Sequence, residues 1–171
     1  EVEADLSSAE GRRDAVAAVQ ALADGALDGL VVCAGLPPTF KPTETIAQVN
    51  YFGAVELLDA LRPLLEAAES GTAVAISSNS LGTVPEDEAP LMGTLLDGDL
   101  DAAVAAASAL HGIQVYGMSK RAVARAVRHR APSWAEAGVR LNAVAPGATQ
   151  TVLFQETLDD AEIGPFVADF P

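Results

Sequence analysis

The sequence predicts an α/β domain wound around a parallel sheet, and three observations carry that expectation. Short apolar runs rich in β-branched residues recur at positions 30–34, 72–77 and 140–145. Ala-rich segments of helical length separate them. Each run is closed by Gly, by Ser or by Pro-Gly. Strands alternating with helices in this way are the pattern of βαβ units, whose buried strands read as continuous apolar runs.

Taken in order, positions 2–6 read as the end of a strand. Ser7 and Glu10 have capping-box spacing and open a helix that runs to Ala23, where Asp24-Gly25 stops it. The run 30–34 is a buried strand. A Pro-containing loop over 36–42 leads to a helix over 46–68, with Thr45 and Gln48 as its capping pair. Ile46, Val49, Gly53, Leu57 and Leu61 mark its inner face, and Pro63 is expected to kink it. Between the second and third strands the pattern predicts a helix over 100–110 capped by Asp99, then a longer one over 115–137. The acidic, Pro- and Gly-containing stretch 81–101 reads as a loop insertion. Positions 154–171 show no clear period and receive no assignment.

The 171 residues are half hydrophobic, enough for one core and one domain spanning 1–171. Ten Lys plus Arg against 24 Asp plus Glu leave a net charge of −14, which argues against a nucleic-acid backbone or an anionic membrane as partner. A single cysteine forms no internal disulfide, so a reducing cytoplasm is expected. No apolar run reaches the ~18 residues of a membrane span, and no leader-like segment opens the chain.

Ligands of open parallel sheets bind at the carboxyl ends of the strands. Here those ends are Ala34-Gly35, Ser77-Ser78-Asn79-Ser80 and Pro146-Gly147-Ala148-Thr149, small or hydroxyl-bearing throughout. Tyr116 and Lys120 stand four apart on the long helix and therefore share a face. An ammonium beside a phenol favours the phenolate, lowering the tyrosine pKa toward the range a general acid/base needs. Alone, the pair reads equally as a surface tyrosine with a solvated lysine. Asn50, on the apolar face of its helix, is a buried amide in need of a partner, either a neighbouring backbone or a functional group.

The remaining candidates have plainer readings. Arg121, Arg125, Arg128, His129 and Arg130 fit a solvated helix face. His111 reads as a helix-end residue, since no second histidine lies at metal-ligand spacing, and no metal is expected. Cys33 is expected to be a small buried hydrophobe. Trp134 and the tail phenylalanines are expected to pack, and the acidic runs 86–88 and 97–101 to solvate loops and cap helices.

Together these motifs resemble the short-chain dehydrogenase/reductase family. Ile76-Ser77-Ser78, Tyr116-x-x-x-Lys120, Val49-Asn50-x-x-Gly53 and Asn142-x-Val144-x-Pro146-Gly147 stand in the family's order. Val32-Cys33-Ala34-Gly35 resembles its N-N-A-G segment, with Cys33 where the second Asn is usual. Ala4-Asp5-Leu6-Ser7, Asn50-Tyr51-Phe52-Gly53-Ala54 and Ala145-Pro146-Gly147-Ala148-Thr149 are similar to the bacterial 3α-hydroxysteroid dehydrogenase/carbonyl reductase branch. That branch also carries a long insertion between Ser and Tyr; here it covers about 81–113 and the separation is 38 residues.

The resemblance implies a doubly wound Rossmann fold with a parallel sheet, incomplete at both ends. It lacks the Gly-rich phosphate loop ahead of Glu1 and the last strand and helix after Pro171. It implies hydride transfer between NAD, with NADP as the alternative, and a secondary alcohol or ketone, steroid substrates included. Tyr116 would exchange the proton, Lys120 would assist it and hold the nicotinamide ribose, and Ser78 would bond the substrate oxygen, with Ser77 the nearest alternative. Asn50 would hold a water linking Lys120 to solvent. Asp5 and Leu6 would touch the adenine side, Cys33, Ala34 and Gly35 the adjoining ribose, and Pro146, Gly147, Thr149 and Thr151 the nicotinamide. A homo-oligomer is expected. The alternative is a catalytically idle relative that binds nucleotide or a partner.

Overall fold

The structure, a computed structural model, describes residues 1–82 and 90–168. Three parallel strands form one sheet in the order β1-β2-β3: β1 Gly29–Val32, β2 Thr72–Ile76 and β3 Arg140–Val144. The register pairs Gly29 with Thr72 and Thr72 with Arg140, and continues to Ile76 opposite Val144. The alternation expected of strands then sorts the side chains. Val32, Ala73, Ala75 and Leu141 are buried in the main core, whereas Val31 and Val144 on the opposite face are 66% and 48% exposed.

Helices cover the buried face. α3 (Ala54–Glu66) packs on β1 and β2, α6 (Gly112–Glu136) on β2 and β3, and α1 (Ala9–Leu22) against α3. Leu58, Leu65, Met118, Val123 and Trp134 fill the layer between them, each almost wholly removed from water. Burying such a side chain contributes about 1.5–3 kcal/mol, so this layer fixes where the strand ends lie.

Several elements differ from their expected bounds. Positions 2–6 form no strand; β1 pairs only with β2 among the described residues, so nothing offers them a ladder. α1 is capped by Ser8, whose hydroxyl accepts the Gly11 N–H at 2.9 Å, while Ser7 is engaged instead with the Asp5 carboxylate. The helix expected over 46–68 begins earlier, as α2 (Thr43–Ala47), so Thr45 lies inside it and caps nothing. Pro63 sits within α3, and the α-helical pattern is interrupted earlier by a π-helical turn over Gln48–Gly53. That wider turn shifts the inward face, so Leu58 rather than Leu57 is fully buried.

Part of the stretch taken as a loop is helical: α4 (Pro90–Asp97) buries Leu91, Met92 and Leu95 against α6, where a Pro at the first position suits a helix start. The acidic run 86–88 lies outside the described residues. α5 (Leu100–Ser108) has the expected Asp99 cap, whose carboxylate accepts the Ala102 N–H at 3.0 Å. α6 starts at Gly112 with His111 as its cap, and Gln114 closes a capping box that the sequence reading missed. The unassigned tail holds α7 (Val152–Asp159) and α8 (Gly164–Val167).

Candidate active site

The carboxyl ends of all three strands open onto one cavity of about 460 Å³, a volume suited to a small organic ligand. Cys33 and Gly35 reach it from β1, Ser77 and Ser78 from β2, and Pro146, Gly147 and Thr149 from β3. Tyr116 and Lys120 enter from α6. The ladder continues past β2 and β3 to hold these ends together: Ser77 N–H donates to Val144 O at 2.8 Å, and Asn79 N–H to Pro146 O at 3.0 Å.

Adjacent serines take separate tasks. Successive residues on an extended segment point to opposite sides. Ser77 is buried, its hydroxyl donating to the Lys120 carbonyl at 2.7 Å, and so fastens β2 to α6. The Ser78 hydroxyl is hydrogen-bonded with the Tyr116 side chain and accepts the Ser80 N–H at 3.2 Å. Ser78 is therefore the serine in register with the phenol.

Lys120 is almost wholly buried, and its Nζ donates to the Ile76 carbonyl at 3.0 Å. Burial pushes its pKa down to about 8, with the nearby Cys33 thiol acting in the opposite sense. Its Nζ stands 6.0 Å from the Tyr116 ring centroid. The Tyr116 pKa is raised, and not lowered as the Lys120 spacing predicts. Burial raises the phenol pKa, and the Ser78 hydrogen bond opposes it only in part. The ammonium is engaged by Ile76, and desolvation penalises phenolate and ammonium alike.

Asn50 sits in the π-helical turn, 1% exposed, one turn type often found where a helix serves a site. Its Oδ1 accepts the Leu36 N–H at 2.7 Å and its Nδ2 donates to Leu36 O at 3.1 Å. This is the backbone-partnered amide, and it pins the loop that follows β1. Gly35 leaves room there: a Cβ would lie 3.3 Å from both Asn50 Oδ1 and Lys120 Nζ, so even a methyl would press on both.

Cys33 is not the buried hydrophobe expected. It lies one residue past the last paired position of β1, is exposed, and lines the cavity. Ala34 is exposed beside it without lining the cavity, and Asp5, Leu6 and Asn50 lie outside the lining as well. The Asp5 carboxylate is held below its usual range by hydrogen bonds from Ser7. Phe154, expected only to pack, lines the cavity with Leu153, Thr157 and Val167; all but Leu153 belong to the segment 154–171 that the sequence pattern does not assign. Thr151 both borders the cavity and caps α7, accepting the Phe154 N–H at 3.2 Å. A Thr ahead of Val-Leu-Phe was the available signal for that helix. Arg130 and Trp134 stay outside the site: Arg130 makes a bidentate pair with Asp59 at 2.8 Å, and Trp134 is buried under Arg62. The described residues contain no cluster of groups able to hold a metal ion and no helix long and apolar enough to cross a membrane.

Residues 1–90 match the family model described as short chain dehydrogenase, and residues 101–168 match one described as Enoyl-(Acyl carrier protein) reductase. The chain belongs to the short-chain dehydrogenase family, and its fold is that family's Rossmann-type α/β sheet. It is 46% identical over 173 residues to the 3-alpha-hydroxysteroid dehydrogenase/carbonyl reductase of Comamonas testosteroni, covering 99% of this chain and 67% of that protein. The crystal structure of the 3-alpha-hydroxysteroid dehydrogenase from Pseudomonas sp. B-0831 complexed with NADH superposes with a TM-score of 0.94 at 39% identity, over 97% of this chain and 66% of that one. A tropinone reductase homolog of Arabidopsis thaliana is 30% identical over 98% of this chain and 55% of its own length. The chain thus spans about two thirds of the hydroxysteroid dehydrogenases and about half of the plant protein.

Proposed function

We propose that this chain carries the catalytic centre of a nicotinamide-dependent oxidoreductase that interconverts a secondary alcohol and a ketone. The observation that carries it is Ser78, Tyr116 and Lys120 converging on one cavity at the strand ends. In this reading the Ser78 hydroxyl donates to the substrate carbonyl and fixes it against Tyr116. The Tyr116 hydroxyl gives its proton to the substrate oxygen in reduction and takes it back in oxidation. Buried Lys120, held at Ile76 O, keeps a proton-bearing group beside the phenol. A nicotinamide cofactor, when bound, supplies or accepts the hydride. The residues fit such a group: Gly35 leaves open a space that one Cβ would fill, and Pro146, Gly147 and Thr149 present a small-residue wall.

The 46% identical relative and the NADH-bound structure support NAD, with NADP as the alternative, and a 3α-hydroxy or 3-keto steroid as the first substrate to try. The apolar wall of Leu36, Pro38, Leu153, Phe154 and Val167 suits such a body. The test is NADH oxidation by the intact protein with a 3-ketosteroid, and with simple cyclic ketones beside it. Absence of turnover with every ketone and either cofactor, where a known hydroxysteroid dehydrogenase turns over, overturns the reading. A homo-oligomer working in the cytoplasm completes it. α4 and α5 cover α6 and α2, so subunits would pair through another surface, and a monomer mass by light scattering would refute the pairing.

A further inference from the structure

Three segments border the cavity beyond the strand ends: the loop with Leu36 and Pro38, the first turns of α6 with Tyr116, and the α7–α8 unit. The last brings Leu153, Phe154, Thr157 and Val167, yet its main packing partner is itself, α7 against α8. A side-chain link to the rest lies at one corner, around His111.

His111 caps α6, its Nδ1 accepting the Ile113 N–H at 3.4 Å. With Nδ1 turned to the Ile113 N–H, the other ring nitrogen, Nε2, faces Glu162 Oε1 at 2.8 Å. Glu162 is itself presented by a tight turn. The Asp160 carboxylate accepts the N–H groups of Ile163 and Glu162 at 2.8 and 2.9 Å, and these bonds hold it below the usual carboxylate range. Lys41, on the loop that contributes Leu36 and Pro38, and His111 both act on Asp160 through their charge. The backbone of Gly112 lies against Pro38 O so closely that no side chain fits between them. All three bordering segments therefore converge at this corner, and the His111–Glu162 pair joins the start of the Tyr116 helix to the α7–α8 unit.

We propose that His111 and Glu162 form a latch that positions the α7–α8 unit over the cavity, making both positioning residues for binding of an apolar carbonyl substrate. The proposal rests on the function proposed above for its kinetic readout alone. Both side chains are partly exposed, 31% and 69%, so the latch biases the position of the unit without locking it. Pairs of this exposure shift an equilibrium by up to about fivefold.

The experiment uses the intact protein and four variants: His111→Asn, His111→Gln, Glu162→Ala, and His111→Asn with Glu162→Ala. Asn keeps the helix cap but is too short for Glu162; Gln caps poorly but carries an amide donor near the Nε2 position. KM and kcat are measured with a 3-ketosteroid at saturating NADH, and amide hydrogen exchange is followed over residues 152–168. Expected are a KM raised about three- to fivefold in His111→Asn and Glu162→Ala, kcat within about twofold of the parent, and exchange faster by a similar factor. The double variant should match the singles, and His111→Gln should stay near the parent. Unchanged KM and exchange in His111→Asn and Glu162→Ala, additive effects in the double variant, or a defect confined to His111→Gln would each overturn the latch. If the parent reduces no ketone, the proposed function fails while the exchange measurements still decide for or against the latch.

Discussion

The two walls of the cavity are built on opposite principles. Along β2 and α6 the polar groups are buried and closed on one another: Ser77 on the Lys120 carbonyl, Lys120 Nζ on Ile76 O, and Asn50 on both backbone groups of Leu36. Along α7 and α8 the wall is apolar toward the cavity and open behind, with Val152 77% and Phe166 67% exposed. Proton transfer requires reacting atoms held within a fraction of an ångström, and buried, satisfied hydrogen bonds supply that rigidity. A wall that admits a bulky apolar substrate is drawn from the less stable end of a structure, where few buried contacts oppose opening. Changes in the first wall should therefore appear in kcat and stability, and changes in the second in KM.

The largest expected effect sharpens the first half of that contrast. Tyr116→Phe removes the proton donor and keeps the ring, so kcat should fall by about 10²–10⁴-fold with cofactor affinity little changed. Ser78→Ala should also lower kcat, since its hydroxyl shares the site with the phenol. Ser77→Ala should instead lower the unfolding free energy by about 1 kcal/mol, because its hydroxyl serves the Lys120 carbonyl. Steady-state kinetics beside thermal unfolding separates the three; a kcat loss in Ser77→Ala as large as in Ser78→Ala would dissolve the division between the neighbouring serines.

Lys120 gives the wall a pH signature. Its pKa falls from 10.5 to about 8 on folding. Between those values the unfolded chain binds a proton that the folded chain has released, so stability rises with pH there. Below about pH 8 both states are charged, and the burial penalty is fully present. The shift corresponds to about 3 kcal/mol of stability regained between pH 8 and 10.5. Denaturant unfolding across that window should show the upward slope in the parent and lose it in Lys120→Met. A parent whose stability slope in this window equals that of the variant would place the ammonium in a wetter environment than its burial against Ile76 O defines.

The rigid wall was legible in the sequence because its physics is local or periodic. Apolar runs ending in Ser or Pro-Gly located β2 and β3, and four-residue spacing put Tyr116 and Lys120 on one face. What escaped depends on contacts between distant segments. The π-helical turn that buries Asn50 keeps helix-like composition, so only its tertiary packing distinguishes it. Cys33 reads as apolar, yet its exposure follows from where the ladder of β1 stops. The Tyr116 pKa is raised rather than lowered because the phenol is buried, which four-residue spacing does not show. α7 escaped because its apolar residues face a cavity and not a core, which blurs the period a packed helix would show.

Phe154 supplies the smallest expected effect and the one most specific to the second wall. Its ring borders the cavity from α7, while its backbone N–H, held by Thr151 Oγ1, is untouched by a change of side chain. Phe154→Ala should leave α7 capped and remove apolar contact from the substrate alone. The partly buried ring contributes about 1–2 kcal/mol to a ligand large enough to reach it, so KM for a 3-ketosteroid should rise about five- to thirtyfold. A small cyclic ketone held near Ser78 and Tyr116 does not extend that far, and its KM should stay within about twofold of the parent. Because the ring packs into no main core cluster, the unfolding midpoint should move little. Equal losses for large and small ketones, or a fall in kcat in place of a rise in KM, would show that α7 acts on the reacting atoms as well, and the contrast between the two walls would not hold.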